Sequence, residues 1–287
     1  MVNKVILAAG QLATASTVKK ENIQRILHLM NEAEKQGVDV VCFGELSLTP
    51  YFAIEPNRDH LDNCFDTLPN ELTTDIFKFT RNHHLAVILP YAEYDGVHYY
   101  NTAAFISNGR LIGQYRKMHM PGAFLKPGER LIGNYEKLYF TPGNLGFPVY
   151  EMNGVKVGVQ ICYDRHFPEG YRCLTLQGAQ VVFNPTALPD RGLSWRRDTW
   201  ELFLRVRAFE NGIFVVGINK AGVESGIEFM GQSLVISPGG GEVLARAKTS
   251  EDELVVCEVD LDSINEARKA LPWMRDRRPE AYVGLCK

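Results

Sequence analysis

The chain has 287 residues, 45% of them hydrophobic, enough for one large core or two modest ones. Its 31 basic and 34 acidic side chains leave a net charge of −3 without long single-sign runs, which argues against nucleic acid or a membrane surface as partner. No CxxC pair or zinc-ligand spacing joins the six cysteines, and no apolar run has the length of a signal peptide or a bilayer span, so the sequence predicts a cytoplasmic protein with reduced thiols and no metal site.

In chain order, residues 5–9 read as a buried first strand. A helix over 19–36 follows, with Ile23, Ile26, Leu27, Met30 and Ala33 at helical spacing and Gly37 as its stop. Residues 38–43 form a nearly continuous apolar strand of the kind buried between layers. It runs directly into Glu45. A second helix is expected over 70–83 and a short strand over 85–89. Strands over 102–107 and 111–115 flank Asn108-Gly109, a strong two-residue hairpin signal. The hairpin leads into Lys117 and His119, and from there to residue 136 the chain is rich in Gly and Pro. A loop of that length in a compact domain is usually functional.

Val155, Val157, Val159 and Ile161 alternate with Lys156, Gly158 and Gln160, the period-two pattern of a strand with one buried face. Asn153-Gly154 marks a turn before it, and Pro168-Glu169 opens a helix over about 169–177. Further on come a strand over 181–184, a helix over 195–211 and a strand over 213–218. Strands over 233–236 and 243–245 flank Pro238-Gly239-Gly240-Gly241, and the last strand covers 255–259. The tail, residues 272–287, carries Trp273, Arg275, Arg277 and Arg278 without a period of its own, which suggests packing on another subunit. Strands alternating with helices, plus hairpins, imply a layered α/β domain with mixed sheets and helices outside. No linker is visible, so residues 1–287 read as one domain. No glycine cluster has the phosphate-binding pattern, which leaves a nucleotide cofactor unsupported.

Cys162 stands where a strand gives way to a helix and is followed at once by Asp164, Arg165 and His166. Backbone N–H groups and nearby positive charge at such an edge can activate a thiol. Glu45 and Lys117 also follow strands. Together the three are chemically coherent: a carboxylate to take the thiol proton and return it to a leaving amine, and an ammonium to hold the oxyanion formed when sulfur attacks a carbonyl or nitrile carbon. Periodicity alone does not bring them together in space. Taken singly, each also reads as a structural residue: a satisfied strand-end carboxylate, a solvated loop lysine, a half-buried cysteine. A Cys-His pair through His119 or His166 is the competing arrangement.

The segments Phe43-Gly44-Glu45-Leu46, Tyr115-Arg116-Lys117-Met118-His119-Met120-Pro121 and Ile161-Cys162-Tyr163-Asp164-Arg165-His166-Phe167-Pro168-Glu169 resemble, in order and spacing, the three signature blocks of the carbon–nitrogen hydrolase (nitrilase) superfamily. The resemblance implies a four-layer α-β-β-α sandwich, a Glu45–Lys117–Cys162 triad, Glu136 as a second glutamate, no cofactor, and subunits that pair as a homodimer or a multiple of it. The stretch from Glu136 to Val149 and the ending Arg278-Pro279-Glu280-Ala281-Tyr282 are similar to N-carbamoyl-D-amino-acid amidohydrolases, whereas Cys162 to Glu169 and Phe183-Asn184-Pro185-Thr186-Ala187 resemble β-ureidopropionases. Both point to a small N-carbamoyl amino acid as substrate; aliphatic amides and N-carbamoylputrescine are the alternatives within the superfamily, and a catalytically silent scaffold is the non-enzyme reading. His166 departs from the D-amino-acid enzymes, which carry a second arginine there. Arg165 is then either a fork for the substrate carboxylate or a structural arginine paired with Asp164 or Glu169. Tyr163, His119, His166 and Asn184 complete the expected substrate-binding set, and the loops 118–135 and 188–197 are expected to set substrate choice.

Overall fold

The computed structural model describes residues 3–56, 61–122, 134–190 and 194–286. Its strands are β1 (Lys4–Gln11), β2 (Val40–Phe43), β3 (Ala86–Tyr94), β4 (Tyr99–Ser107), β5 (Arg110–Arg116), β6 (Tyr150–Met152), β7 (Val155–Val159), β8 (Val181–Thr186), β9 (Phe214–Asn219), β10 (Ala221–Glu224), β11 (Ile227–Met230), β12 (Leu234–Ile236), β13 (Val243–Arg246) and β14 (Glu253–Asp260). Its helices are α1 (Lys19–Lys35), α2 (Leu61–Cys64), α3 (Thr74–Asn82), α4 (Glu136–Tyr139), α5 (Pro168–Leu176), α6 (Ser194–Asn211) and α7 (Asp262–Ala270).

The strands build two six-stranded sheets, ordered β14-β1-β2-β3-β4-β5 and β13-β12-β9-β8-β7-β6, with β10-β11 as a separate hairpin. Each sheet has a parallel centre, β1-β2-β3 in one and β7-β8-β9 in the other, widened by antiparallel neighbours. The centres are apolar on both faces because both are covered. Leu7, Ala9, Val40, Cys42 and Ile88 of the first sheet meet Val157, Val159, Val181, Phe183 and Val216 of the second in one core between the sheets. The alternate residues Ala8, Val41 and Val87 pack outward on Ile23, Ile26 and Met30 of α1 and Ile76 of α3. On the other side Val182 and Val215 pack on Leu174 of α5 and on Trp200 and Leu204 of α6. The layers are therefore helix, sheet, sheet, helix, the expected α-β-β-α sandwich.

Several expected boundaries move for local reasons. The strand predicted from residue 38 starts at Val40, because the Asp39 carboxylate turns to accept the Ile6 N–H at 2.7 Å. The helix expected from residue 70 starts at Thr74, since Asn70 Oδ1 caps the preceding turn by accepting Thr73 N–H at 3.0 Å. Asn108-Gly109 makes its hairpin, with φ of 51° and 71°, and Asn153-Gly154 does the same at 48° and 82°, joining β7 to β6, a strand with no visible sequence signal. The β10-β11 hairpin over Ser225-Gly226 and the helix α7 also escaped the reading. In α7 the only buried residue is Ile264, so no apolar period exists to be seen. The tail is not wholly irregular: it contains two short 3₁₀ turns, Pro279–Ala281 and Val283–Cys286. Trp273 packs edge-on against Phe209 of α6 at 4.6 Å between ring centres. No helix among the described residues is long and apolar enough to cross a membrane.

Candidate active site

Glu45, Lys117 and Cys162 lie just beyond the C-terminal ends of β2, β5 and β7, the end where open α/β sheets place their ligand crevices. The backbone is strained at two of these exits. Cys162 itself has φ +47°, and Leu46, directly after Glu45, has φ +52°. Non-glycine residues held this way cost on the order of 1–3 kcal/mol, and they persist only where the surroundings impose them. At Cys162 the imposing group is Asp164. Its carboxylate accepts the Ile161 N–H at 3.1 Å, the Tyr115 hydroxyl at 2.7 Å and the His119 N–H at 2.9 Å. The turn that carries the sulfur is thus tied to the end of β5 that carries Lys117.

Lys117 is completely buried, and its ammonium lies between two equally buried carboxylates. Nζ donates to Glu45 Oε1 at 2.7 Å and to Glu136 Oε1 and Oε2 at 2.8 and 2.7 Å. Glu136 opens the one-turn helix α4 and also accepts the Tyr51 hydroxyl. Glu45 has two further partners: the Asn101 side-chain amide at 2.7 Å and the Ala187 backbone N–H at 2.8 Å. The lysine backbone is pinned as well. Its N–H donates to Asn101 C=O, and its C=O accepts the Gly143 N–H, both at 2.8 Å. Residue 143 must be glycine for this approach, because a Cβ there would lie 2.1 Å from the Arg116 carbonyl oxygen.

These contacts set the charges. Burial works against the Lys117 ammonium, but Glu136 and Glu45 outweigh it and leave the pKa above the ordinary lysine value. Burial pushes the Glu136 carboxyl up to about 7, with Glu45 adding to the rise and Lys117 opposing it. The Cys162 thiol is pushed up to about 12, first by burial and then by Glu45, against the pull of Lys117 and Arg165. The sulfur therefore rests as a thiol.

The remaining expected residues occupy distinct places. Arg165 is 4% exposed, and its guanidinium donates to the Cys162 carbonyl oxygen at 2.9 Å and approaches the sulfur at 3.7 Å. The pairing with Asp164 considered from sequence does not form, since that carboxylate is engaged by Ile161, Tyr115 and His119. Arg165 instead stacks towards Trp200, and Arg207 Nε donates to its carbonyl at 3.0 Å. His119 is held by Nδ1 against Asp164 at 2.7 Å and stacks on Phe167 at 3.7 Å. His166 packs edge-on against Phe203, and burial together with Arg165 lowers its pKa to about 4, making it a weak base. Neither imidazole hydrogen-bonds Cys162, so the Cys-His arrangement is not formed. Tyr163 lies against His166 and Phe167. Both ends of the Asn184 amide are engaged inside the protein, Nδ2 by Gln160 C=O and Oδ1 by Thr186 Oγ1, which places it behind the Cys162 turn. Of the loops expected to set substrate choice, residues 123–133 and 191–193 lie outside the described residues. Among the described residues no cluster of three His, Cys, Asp or Glu has metal-binding geometry.

Sequence reasoning missed Tyr51, Asn101 and the structural role of Asp164. Asn101 did leave a signal: it is an amide inside β4, a strand whose remaining residues are mostly apolar.

The comparisons with known proteins show the family of this chain. The family model described as carbon-nitrogen hydrolase matches residues 6–269. The chain is 33% identical over 299 residues to an N-carbamoylputrescine amidase of Oryza sativa subsp. japonica, covering 99% of this chain and 95% of that protein. It is 31% identical over 280 residues to a citrullinase of Francisella tularensis subsp. tularensis, covering 93% of each. A solved carbon-nitrogen hydrolase from Helicobacter pylori G27 superposes with a TM-score of 0.87 at 29% identity, covering 99% of both chains. With its sandwich and its acid–lysine–acid cluster beside a strand-end cysteine, this chain belongs to the carbon-nitrogen hydrolase family of the nitrilase superfamily, enzymes that cleave non-peptide C–N bonds.

Proposed function

We propose that the chain hydrolyses the carbamoyl C–N bond of an N-carbamoyl amino acid through a Cys162 thioester. The observation that carries this reading is the Lys117 ammonium clamped between Glu45 and Glu136 beside the Cys162 turn. Glu45 takes the thiol proton as sulfur bonds to the ureido carbon, and Lys117 with the Tyr163 N–H holds the resulting oxyanion. Collapse breaks the C–N bond, and Glu45 returns the proton to the departing nitrogen. Water then adds to the S-carbamoyl intermediate with Glu45 again as base, which restores the thiol. The net products are the amino acid, carbon dioxide and ammonia. Glu136 keeps Lys117 charged and in place.

Arg165 is the natural fork for the substrate carboxylate. It is a buried cation 3.7 Å from the sulfur whose Nε has no partner among the described residues. A buried charge left unpaired is costly, so a carboxylate that reaches it is selected over a neutral group. The second reading, a neutral or cationic amide such as N-carbamoylputrescine, is favoured by the names of several relatives. A panel of N-carbamoyl-β-alanine, N-carbamoyl-D- and L-amino acids, N-carbamoylputrescine and simple amides separates them. The wild type is expected to prefer acids, and Arg165→Ala to lose that preference. A wild type that prefers N-carbamoylputrescine, with Arg165→Ala no worse on acids than on amides, overturns the acid assignment.

We further propose one hydrolase domain followed by a partner-facing tail. Val283 and Leu285 are 63% and 72% exposed, apolar surface suited to a second copy of the chain. Light scattering at micromolar concentration is expected to give a dimer or a multiple of it.

A further inference from the structure

A second buried ion pair stands beside the first. Lys220, between β9 and β10, and Glu224, the last residue of β10, are 3% and 6% exposed and meet at 2.6 Å. They touch none of the reacting groups. Each also contacts the segment that connects Glu45 to Tyr51. Lys220 Nζ approaches Thr49 C=O at 3.4 Å, and Glu224 Oε2 accepts the Tyr51 N–H at 2.7 Å. Glu224 Oε1 also accepts the Ala15 N–H at 2.8 Å, which anchors the carboxylate to the end of the first sheet.

Tyr51 therefore has two attachments of opposite function. Its backbone N–H is held by Glu224, while its hydroxyl donates to Glu136, the carboxylate that cradles Lys117. The segment between Glu45 and Tyr51 includes the strained Leu46 and is a run of turns, anchored in its first half by the Ser47 N–H to Pro90 C=O and by Asn22 Nδ2 to Leu48 C=O, both at 3.0 Å. Beyond Leu48 the hydrogen bond from the Tyr51 N–H to Glu224 is the contact that holds the Tyr51 backbone, and with it the direction in which the hydroxyl reaches Glu136. A buried ion pair is also a poor way to gain stability, because desolvation offsets much of the attraction; its better-attested use is to specify one geometry.

We propose that Lys220 and Glu224 are positioning residues of the catalytic site, acting through Tyr51 to hold Glu136 against Lys117. This rests on the reading that Glu45, Lys117, Glu136 and Cys162 form the reacting group. A displacement of about 1 Å at a supporting group costs on the order of 100-fold in rate, so the effect belongs in kcat.

The test is a double-mutant cycle on the full chain with the best substrate of the panel, each variant first shown to be folded by circular dichroism. Glu224→Gln and Tyr51→Phe are each expected to lower kcat by about 10- to 100-fold while KM changes less than about threefold. Their combination is expected to lose no more than the worse single variant, because both cut one line of contacts. If Glu224→Gln does not fold, Glu224→Asp keeps the charge while drawing the carboxylate back from the Tyr51 N–H, and the same loss and the same non-additivity are expected. Wild-type kcat in Glu224→Gln or Glu224→Asp, or losses that multiply in the combination, overturn the proposal. Cys162→Ala serves as the separate control: turnover retained there refutes the assigned reacting group, whereas an inactive Cys162→Ala with an unaffected Glu224 variant refutes only the clamp.

Discussion

Lys117 and Lys220 are two buried ammonium groups held in similar ways with opposite electrostatic results. Each has its backbone pinned by a strand neighbour and a glycine: Lys117 by Asn101 C=O and Gly143 N–H, Lys220 by Thr186 C=O and Gly231 N–H. They differ in the number of carboxylates. Lys117 meets two, which outweigh its burial and raise its pKa; Lys220 meets one, and burial prevails and lowers it. Burial raises the Glu136 carboxyl, and Glu45, the second acid at the same ammonium, adds to the rise while Lys117 opposes it. A single buried pair is nearly self-compensating and suits a bracket. The triplet holds one acid in excess of its base.

The sharpest way to break the comparison is to remove each cation. Lys117→Met is expected to reduce kcat/KM by at least about 10³-fold, since it removes an oxyanion donor and leaves two carboxylates facing each other. Lys220→Met, touching no reacting atom, is expected to lose about 10- to 100-fold, all of it in kcat. Steady-state kinetics on the folded variants checks the order; equal losses would dissolve the distinction. Next in size is Glu45→Gln, which keeps the contacts with Asn101 and Lys117 but cannot accept a proton. A loss of at least about 10²-fold in kcat is expected, and wild-type rates would remove Glu45 from the role of base.

Glu136→Gln makes the surroundings of Lys117 like those of Lys220, and its signature is in pH dependence. The folded carboxyl titrates near about 7, above its value in the unfolded chain. Between the two values the unfolded state holds fewer protons, so this group withdraws stability as pH rises from about 4.5 to about 7, by roughly 3 kcal/mol at most. Wild type is expected to lose several degrees in Tm between pH 5 and 7.5 relative to Glu136→Gln. Parallel Tm–pH curves for the two proteins would contradict the assignment. The smallest expected effect is a null: with no metal-binding cluster among the described residues, prolonged EDTA dialysis should leave activity unchanged. Loss of activity restored by zinc or manganese would contradict it.

Much of this molecule was legible in advance. The apolar runs of β2 and β8, the alternation before Cys162, and Asn108-Gly109 report local physics: burial on one or two faces, or a backbone that needs positive φ. Where that physics was weak, the reading failed. Helix α7 buries one residue, and β6 is three residues long, too short to show a period. Glu45, Lys117, Glu136 and Cys162 stand out in the sequence because their blocks carry a family resemblance, while the encounter of Glu45 and Lys117 across 72 residues has no local signature.

The sequence by itself determined most of the elements, a layered α/β arrangement and the chemical types at the site, because periodicity and turn chemistry act over a few residues. Only the tertiary structure decided which polar groups face one another. Arg165 reads from sequence as either a partner of Asp164 or Glu169 or a fork for substrate; Tyr115 and His119 occupy the Asp164 carboxylate from a distant strand end, and the guanidinium turns to the Cys162 carbonyl instead. Glu224 and Tyr51, 173 residues apart, have no reason to meet in any local pattern. Buried polar groups must find partners wherever the packed layers bring them, and that demand is set by the whole fold.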